Sequence, residues 1–255
     1  EYNPTEVAGC PPDYFSPTGQ LWENPLYDWA AMSKDGYAWW ISRLRRMSEL
    51  LDAVRLDHFR GFESYYAIPF GHETAQYGHW VNGPGMELFQ KVREQVAIDI
   101  VAEDLGCITP EVKSLLNETG YPGMKVLQFA FSACGGSDYL PHNHVKNCVL
   151  YTGTHDNDTL MGFIEKIGPE DKAFLQTYLA VGEQGDVEDA LIRCAYRSIA
   201  NTVVLPLQDY LRLGSEYRMN IPSTPEGNWR FRVGAEMLTE GLADGIRSMV
   251  HLYQR

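Results

Sequence analysis

The sequence predicts an α/β fold assembled from parallel βαβ units. Three observations carry that prediction. Short apolar runs of strand length recur along the chain, segments of helical periodicity separate them, and charged or polar residues stand directly after the runs. At 255 residues, 44% of them hydrophobic, the chain is long enough for one barrel-sized domain or two small ones.

The first thirty residues are rich in turn formers and aromatics, centred on Pro11-Pro12-Asp13-Tyr14-Phe15-Ser16-Pro17-Thr18-Gly19. Repeated Pro and Gly argue against a long helix or a central strand, so a long loop is expected there. Residues 37–51 read as a helix with Trp40, Leu44, Met47 and Leu51 on one face, and 53–57 as a buried strand. The pattern repeats with a helix over 85–96 and a strand over 97–102. Thr109 followed by Pro110 marks a helix start, an N-cap with Pro at the first helical position. Further strands are expected at 124–129, 148–152 and 202–206. Helices are expected at 170–181 and 187–200, with an amphipathic helix over 235–253 closing the chain.

The strand ends carry Asp57-His58, Glu103-Asp104, His155-Asp156 and Gln208-Asp209. A (β/α)8 barrel collects such residues on its catalytic face. A doubly wound sheet would also line them along one edge, but no Gly-rich nucleotide fingerprint follows any run, which favours the barrel.

Composition narrows the partners. A net charge of −13 repels a phosphate backbone, so nucleic acid is not expected, whereas a neutral ligand such as a sugar meets no net repulsion. No apolar stretch is long enough to span a bilayer, so no membrane association is expected. The five cysteines, Cys10, Cys107, Cys134, Cys148 and Cys194, form no C-x-x-C pair. They read as reduced thiols of a cytoplasmic protein and not as a disulfide framework or a zinc site. The opening Glu1-Tyr2-Asn3-Pro4-Thr5-Glu6 lacks both a signal-peptide pattern and an initiating Met, and reads as a cut from something longer.

Three carboxylates dominate the chemistry: Asp57, Glu103 and Asp156, each just beyond an apolar run. Cleaving a glycosidic bond by double displacement requires an ionised carboxylate as nucleophile and a protonated one as acid. Arg55, two residues before Asp57 on the same strand face, can hold Asp57 ionised. Partial burial and a neighbouring carboxylate would raise Glu103. A single Asp after a strand is as readily a helix N-cap, and a carboxylate triplet can also bind Mg²⁺ or Ca²⁺. His142-x-His144 has metal-like spacing but no third ligand nearby, and is read as loop.

The segments Arg55-Leu56-Asp57-His58-Phe59-Arg60-Gly61, Ala102-Glu103-Asp104-Leu105-Gly106 and Gly153-Thr154-His155-Asp156-Asn157-Asp158-Thr159 resemble the nucleophile, acid/base and transition-state motifs of the α-amylase superfamily. The likeness is closest to its amylomaltase (4-α-glucanotransferase) branch. Pro11-Pro12-Asp13-Tyr14-Phe15-Ser16, Asn24-Pro25-Leu26-Tyr27, Pro122-Gly123-Met124-Lys125, Leu207-Gln208-Asp209, Glu216-Tyr217-Arg218-Met219-Asn220 and Gly227-Asn228-Trp229-Arg230 are similar to that branch too, in the same order.

The resemblance implies the last five or so units of a (β/α)8 TIM barrel. Residues 1–35 would be an aromatic lid loop, 36–233 the β/α units and 234–255 a closing helix. It implies a retaining transfer of α-1,4-glucan segments. Asp57 would attack, Glu103 would serve as acid and then base, and Asp156 would bind ring hydroxyls, with Arg55, His58 and His155 assisting. Tyr14, Phe15 and Trp22 would stack on sugar rings and Asn228 would bind donor sugar. Neither metal nor organic cofactor is implied, and a partial barrel with open edges invites self-association. An amylase-type hydrolase, an inactive glucan-binding module and a metal-dependent α/β enzyme are the alternatives. One departure stands out: Glu23 occupies a position where the family usually has Gly.

Overall fold

The computed structural model describes residues 3–12, 16–106, 108–131, 137–182 and 184–255. The chain divides into two units, Glu1–Gly123 and Met124–Arg255, and the fold is α/β.

The first unit opens with β1 (Glu6–Cys10) and β2 (Gln20–Pro25), which overturns the expectation that this region is loop. These strands join β4 (Ser64–Pro69) and β5 (His79–Asn82) in an antiparallel sheet of order β2-β1-β4-β5. β1 is thus a central strand. The prolines do not prevent it, because Pro11-Pro12 follows β1, and Pro25, opposite Val7, is the last residue of β2, an edge strand. Gly9 is required by close approach. A Cβ at that position would collide with the Gln20 carbonyl on one side and the Ile68 side chain on the other.

The rest of this unit follows the βα pattern. After α1 (Trp29–Lys34) comes α2 (Ala38–Ser48), which buries Trp40, Ile41 and Leu44 and stops before Leu51, leaving that residue exposed. β3 (Ala53–Leu56) pairs in parallel with β6 (Asp99–Ala102), Leu56 opposite Ala102. Between them in sequence lies α3 (Gly85–Gln95), burying Leu88, Phe89 and Val92. α4 (Pro110–Thr119) starts where the Thr109-Pro110 signal places it, the Thr109 hydroxyl accepting from the Val112 N–H at 3.4 Å. Phe59, Phe62 and Phe89 pack with these helices and with Ile100 in one aromatic-rich core. Burial of rings of this size is the main stabilising term for such a unit.

In the second unit β7 (Gly123–Val126) neighbours β8 (Cys148–Tyr151), which pairs in parallel with β9 (Thr202–Val204). The strand expected over 124–129 is shorter: the backbone turns at Leu127 into the four-residue α5 (Leu127–Ala130), burying Gln128. α6 (Leu160–Lys166), α7 (Pro169–Leu179) and α8 (Val187–Arg197) pack on β8 through Leu150, Leu160, Leu175, Leu191 and Ala195. After α9 (Leu207–Tyr210), the closing segment is a short 3-10 turn at Ala235–Met237 followed by α10 (Glu240–Tyr253), capped by Thr239. The helix expected over 235–253 is therefore broken at Leu238-Thr239.

Among the described residues the sheets are open and no closed barrel forms. No helix there is long and apolar enough to cross a membrane.

Candidate active site

In the first unit the register of β3 and β6 brings Asp57 and Glu103 to adjacent strand ends. Two backbone bonds lock the junction: Glu103 N–H donates to the Leu56 carbonyl at 3.0 Å, and Phe59 N–H to the Glu103 carbonyl at 2.9 Å. His58 lies between them in the left-handed region, with φ +47°. Such a conformation is unfavourable for a residue with a Cβ and persists where surrounding structure enforces it. Here it directs the His58 N–H onto Glu103 Oε2 at 2.7 Å, while Leu105 N–H donates to Oε1 at 2.8 Å.

The two carboxylates stand in opposite environments. Asp57 is largely exposed, at 79%, and its Oδ1 lies 2.8 Å from Arg55 Nη1. Glu103 is half-buried. Burial lifts its carboxyl above the ordinary range; the Leu105 and His58 N–H groups oppose the rise, the Asp57 charge adds to it and Arg55 offsets part of it. Burial likewise lowers His58, against the pull of Asp57. Trp22, on β2, meets the His58 ring edge-on with centroids 4.9 Å apart, and its indole N–H donates to Gln20 Oε1 at 3.1 Å. Tyr14 and Phe15 lie outside the described residues.

In the second unit Asp156 follows β8. Its Oδ1 accepts from Asn220 Nδ2 at 2.6 Å, and its Oδ2 lies 3.2 Å from His155 Nε2. The Arg218 guanidinium donates to the Asp156 carbonyl at 2.9 Å, and Asn220 N–H to the His155 carbonyl at 3.1 Å. Arg218 and Asn220 thus fix the turn that presents Asp156. Sequence reading assigned them no role, although both stand in the segment similar to the family, 216–220. The His155 ring lies 5.3 Å from Trp229, which is 54% exposed and so is not a core residue. Asn228 is occupied within its own loop. Its Oδ1 accepts from Ile221 N–H at 2.9 Å, and its Nδ2 donates to the Thr224 carbonyl at 2.9 Å and hydroxyl at 3.1 Å.

Two further carboxylates after strands are structural. Asp209 is buried, accepts from Thr152 Oγ1 at 2.6 Å and Leu160 N–H at 2.9 Å, and is raised by burial. Asp158 accepts from Ser215 Oγ at 2.8 Å and pairs with Lys166 at 2.6 Å. His142 and His144 take separate partners, the Tyr178 hydroxyl and the Tyr139 carbonyl, each at 2.8 Å. Among the described residues no group of three or more His, Cys, Asp or Glu side chains is placed to hold a metal ion.

This arrangement was compared with known proteins. A family model described as 4-alpha-glucanotransferase matches residues 1–237. The chain is 46% identical over 254 residues to the 4-alpha-glucanotransferase of Clostridium butyricum, covering 99% of this chain and 52% of that one. To the 4-alpha-glucanotransferase of Thermus thermophilus it is 47% identical over 263 residues, covering 100% of this chain and 53% of that one. Among solved structures, amylomaltase from Streptococcus agalactiae in complex with acarbose superposes with a TM-score of 0.94 at 36% identity, over 99% of this chain and 52% of that one. The chain thus spans about half the length of the curated relatives it matches. With a family model running along nearly its whole length, the chain belongs to the 4-alpha-glucanotransferase family.

Proposed function

We propose that this chain carries the catalytic carboxylates of a 4-α-glucanotransferase, which transfers segments of α-1,4-glucan to another glucan or to glucose by a retaining double displacement. The observation that carries this reading is the Asp57–Glu103 pair: an exposed carboxylate engaged by Arg55, beside a half-buried carboxyl raised by burial. Environments that push two carboxyls apart are what the nucleophile and the acid of a retaining mechanism need.

In this mechanism Asp57 attacks the anomeric carbon while Glu103 protonates the leaving oxygen, giving a glucosyl ester and a free glucan end. Glu103, now ionised, takes the proton of an acceptor hydroxyl as that oxygen displaces Asp57. Asp156, oriented by Asn220 and Arg218, binds ring hydroxyls of the distorted sugar, with Arg55, His58 and His155 assisting. Trp22 supplies a stacking face next to His58, and Tyr14 and Phe15 are the other rings proposed to stack on sugar. Asn228 offers the donor sugar whatever hydrogen-bonding capacity its loop leaves. The architecture supported by the amylomaltase superposition is the C-terminal five or so β/α units of a (β/α)8 barrel. Cys194 is a free thiol, in keeping with a cytoplasmic setting.

The test is incubation with maltotriose and separation of products by size. Glucose together with a ladder of longer maltooligosaccharides is expected, reduced by at least about 10³-fold in Asp57→Asn. Glucose and maltose alone would identify a hydrolase, and no product from folded protein would reduce the chain to a glucan-binding module.

A further inference from the structure

The connection from β4 to β5 carries aromatic side chains that the carboxylate site does not use. Phe70 is 48% exposed and Tyr77 is 67% exposed, the largest value among the exposed large hydrophobics of the described residues. The His72 and Tyr77 rings form a tilted pair, with centroids 5.3 Å apart and planes at 47°. Exposed rings on a loose loop would carry little meaning, but this connection is anchored. Phe70 N–H donates to the Thr5 carbonyl at 3.0 Å, and Ala75 N–H to the Thr18 carbonyl at 3.0 Å. Ala75 is fully buried at the start of the 3-10 turn that ends in Tyr77. The backbone that carries the rings is therefore held in place, and little backbone entropy is left to lose on binding.

We propose that His72 and Tyr77, on the β4–β5 connection and not at the strand ends that carry Asp57 and Glu103, form a second saccharide-binding platform for an α-1,4-glucan chain. A pyranose ring has apolar C–H faces and a rim of hydroxyls. Two rings set at an angle, one with hydrogen-bonding nitrogens and one with a phenolic hydroxyl, match both features of such a ligand. The protein's net charge of −13 disfavours polyanionic partners for an aromatic surface but leaves a neutral polysaccharide unopposed. A platform of this kind would keep a long glucan near the protein between transfers, as a second contact raises effective concentration. The choice of ligand rests on the proposed glucanotransferase reading.

The experiment is native electrophoresis of the whole chain through gels containing amylopectin, with dextran gels as the control. Retardation in amylopectin but not in dextran is expected. It should persist in Tyr77→Phe, which keeps the ring. Tyr77→Ala should bind about three- to tenfold more weakly, the loss of one stacked ring, and His72→Ala measurably more weakly. Both side chains are on the surface, so the variants should melt with the wild type. Unchanged retardation in Tyr77→Ala, equal retardation in dextran, or none in the wild type would overturn the platform. The maltotriose assay reads the carboxylates alone, so failure of the platform and failure of the glucanotransferase reading are told apart.

Discussion

At the scale of single residues, the environment of Glu103 makes a statement about pH. Its carboxyl must be protonated to donate to the leaving oxygen, and burial raises it above the ordinary carboxylate range. Transfer from maltotriose should therefore persist above pH 4.5 and fall on the alkaline side as Glu103 loses its proton. A kcat/KM profile already declining through pH 4.5 would contradict its role as the acid. Glu23 raises a different point. It sits in β2 with φ +61°, where a side chain is strained, at the position where sequence reading noted Gly in the family. Glu23→Gly should relieve that strain and stabilise the chain by about 0.5–1 kcal/mol after the added chain entropy of glycine. A urea titration showing no gain would mean that the side chain is held by compensating contacts. The carboxylates were legible in sequence because they follow apolar runs and keep a family spacing. The left-handed His58 and the Asn220 contact were not, because each depends on a backbone turn that no local pattern encodes.

Among the elements, those whose hydrophobic faces are local were legible: α2, α3, α4, α8, β3 and β8 begin or end within about two residues of where periodicity places them. β1 and β2 were not. β1 pairs with β4, about sixty residues away, and β2 joins the sheet only through β1, so Gly9 and the flanking prolines look like loop residues until that partner is known. At the start of α8, Glu188 is a further case that only packing reveals. It is 2% exposed, its Oε2 accepts from Arg212 Nε at 2.9 Å, and among the described residues its Oε1 has no hydrogen-bond partner. Burial lifts it to about 7, with Arg212 opposing and Asp209 and Asp186 adding. The folded chain then holds a proton that the unfolded chain releases near 4.5. The stability this contributes is complete below about pH 4.5, declines as pH rises and is gone above about pH 7. The steepest slope for one proton is about 1.4 kcal/mol per pH unit. Glu188→Gln should flatten the fall in urea midpoint between pH 5 and 7. Some slope should remain, since Asp209 is raised in the same sense. An unchanged slope in the variant would place the carboxyl in solvent, against its burial.

For the whole molecule the governing quantity is charge. Thirty-four acidic residues face 21 basic ones, and the excess of −13 repels itself more strongly in the compact state than in the expanded one. Exposed ion pairs such as Arg46–Glu49 and Lys91–Glu94 offset little of this, because solvent screens them. Raising sodium chloride from about 10 to 150 mM shortens the screening length from about 30 to 8 Å. The long-range repulsion then weakens, while pairs more enclosed by protein, such as Arg218–Asp158, keep most of theirs. The thermal midpoint should rise over that range, by a few degrees. Affinity for a neutral glucan, measured over the same salt series, should stay flat, since no counterions are released on binding it. These two readouts separate the effects of charge on the fold from those on the ligand. A midpoint that falls with salt would mean that attractive pairs outweigh the net excess. An affinity that falls with salt would point to an anionic ligand, and with it away from a neutral glucan.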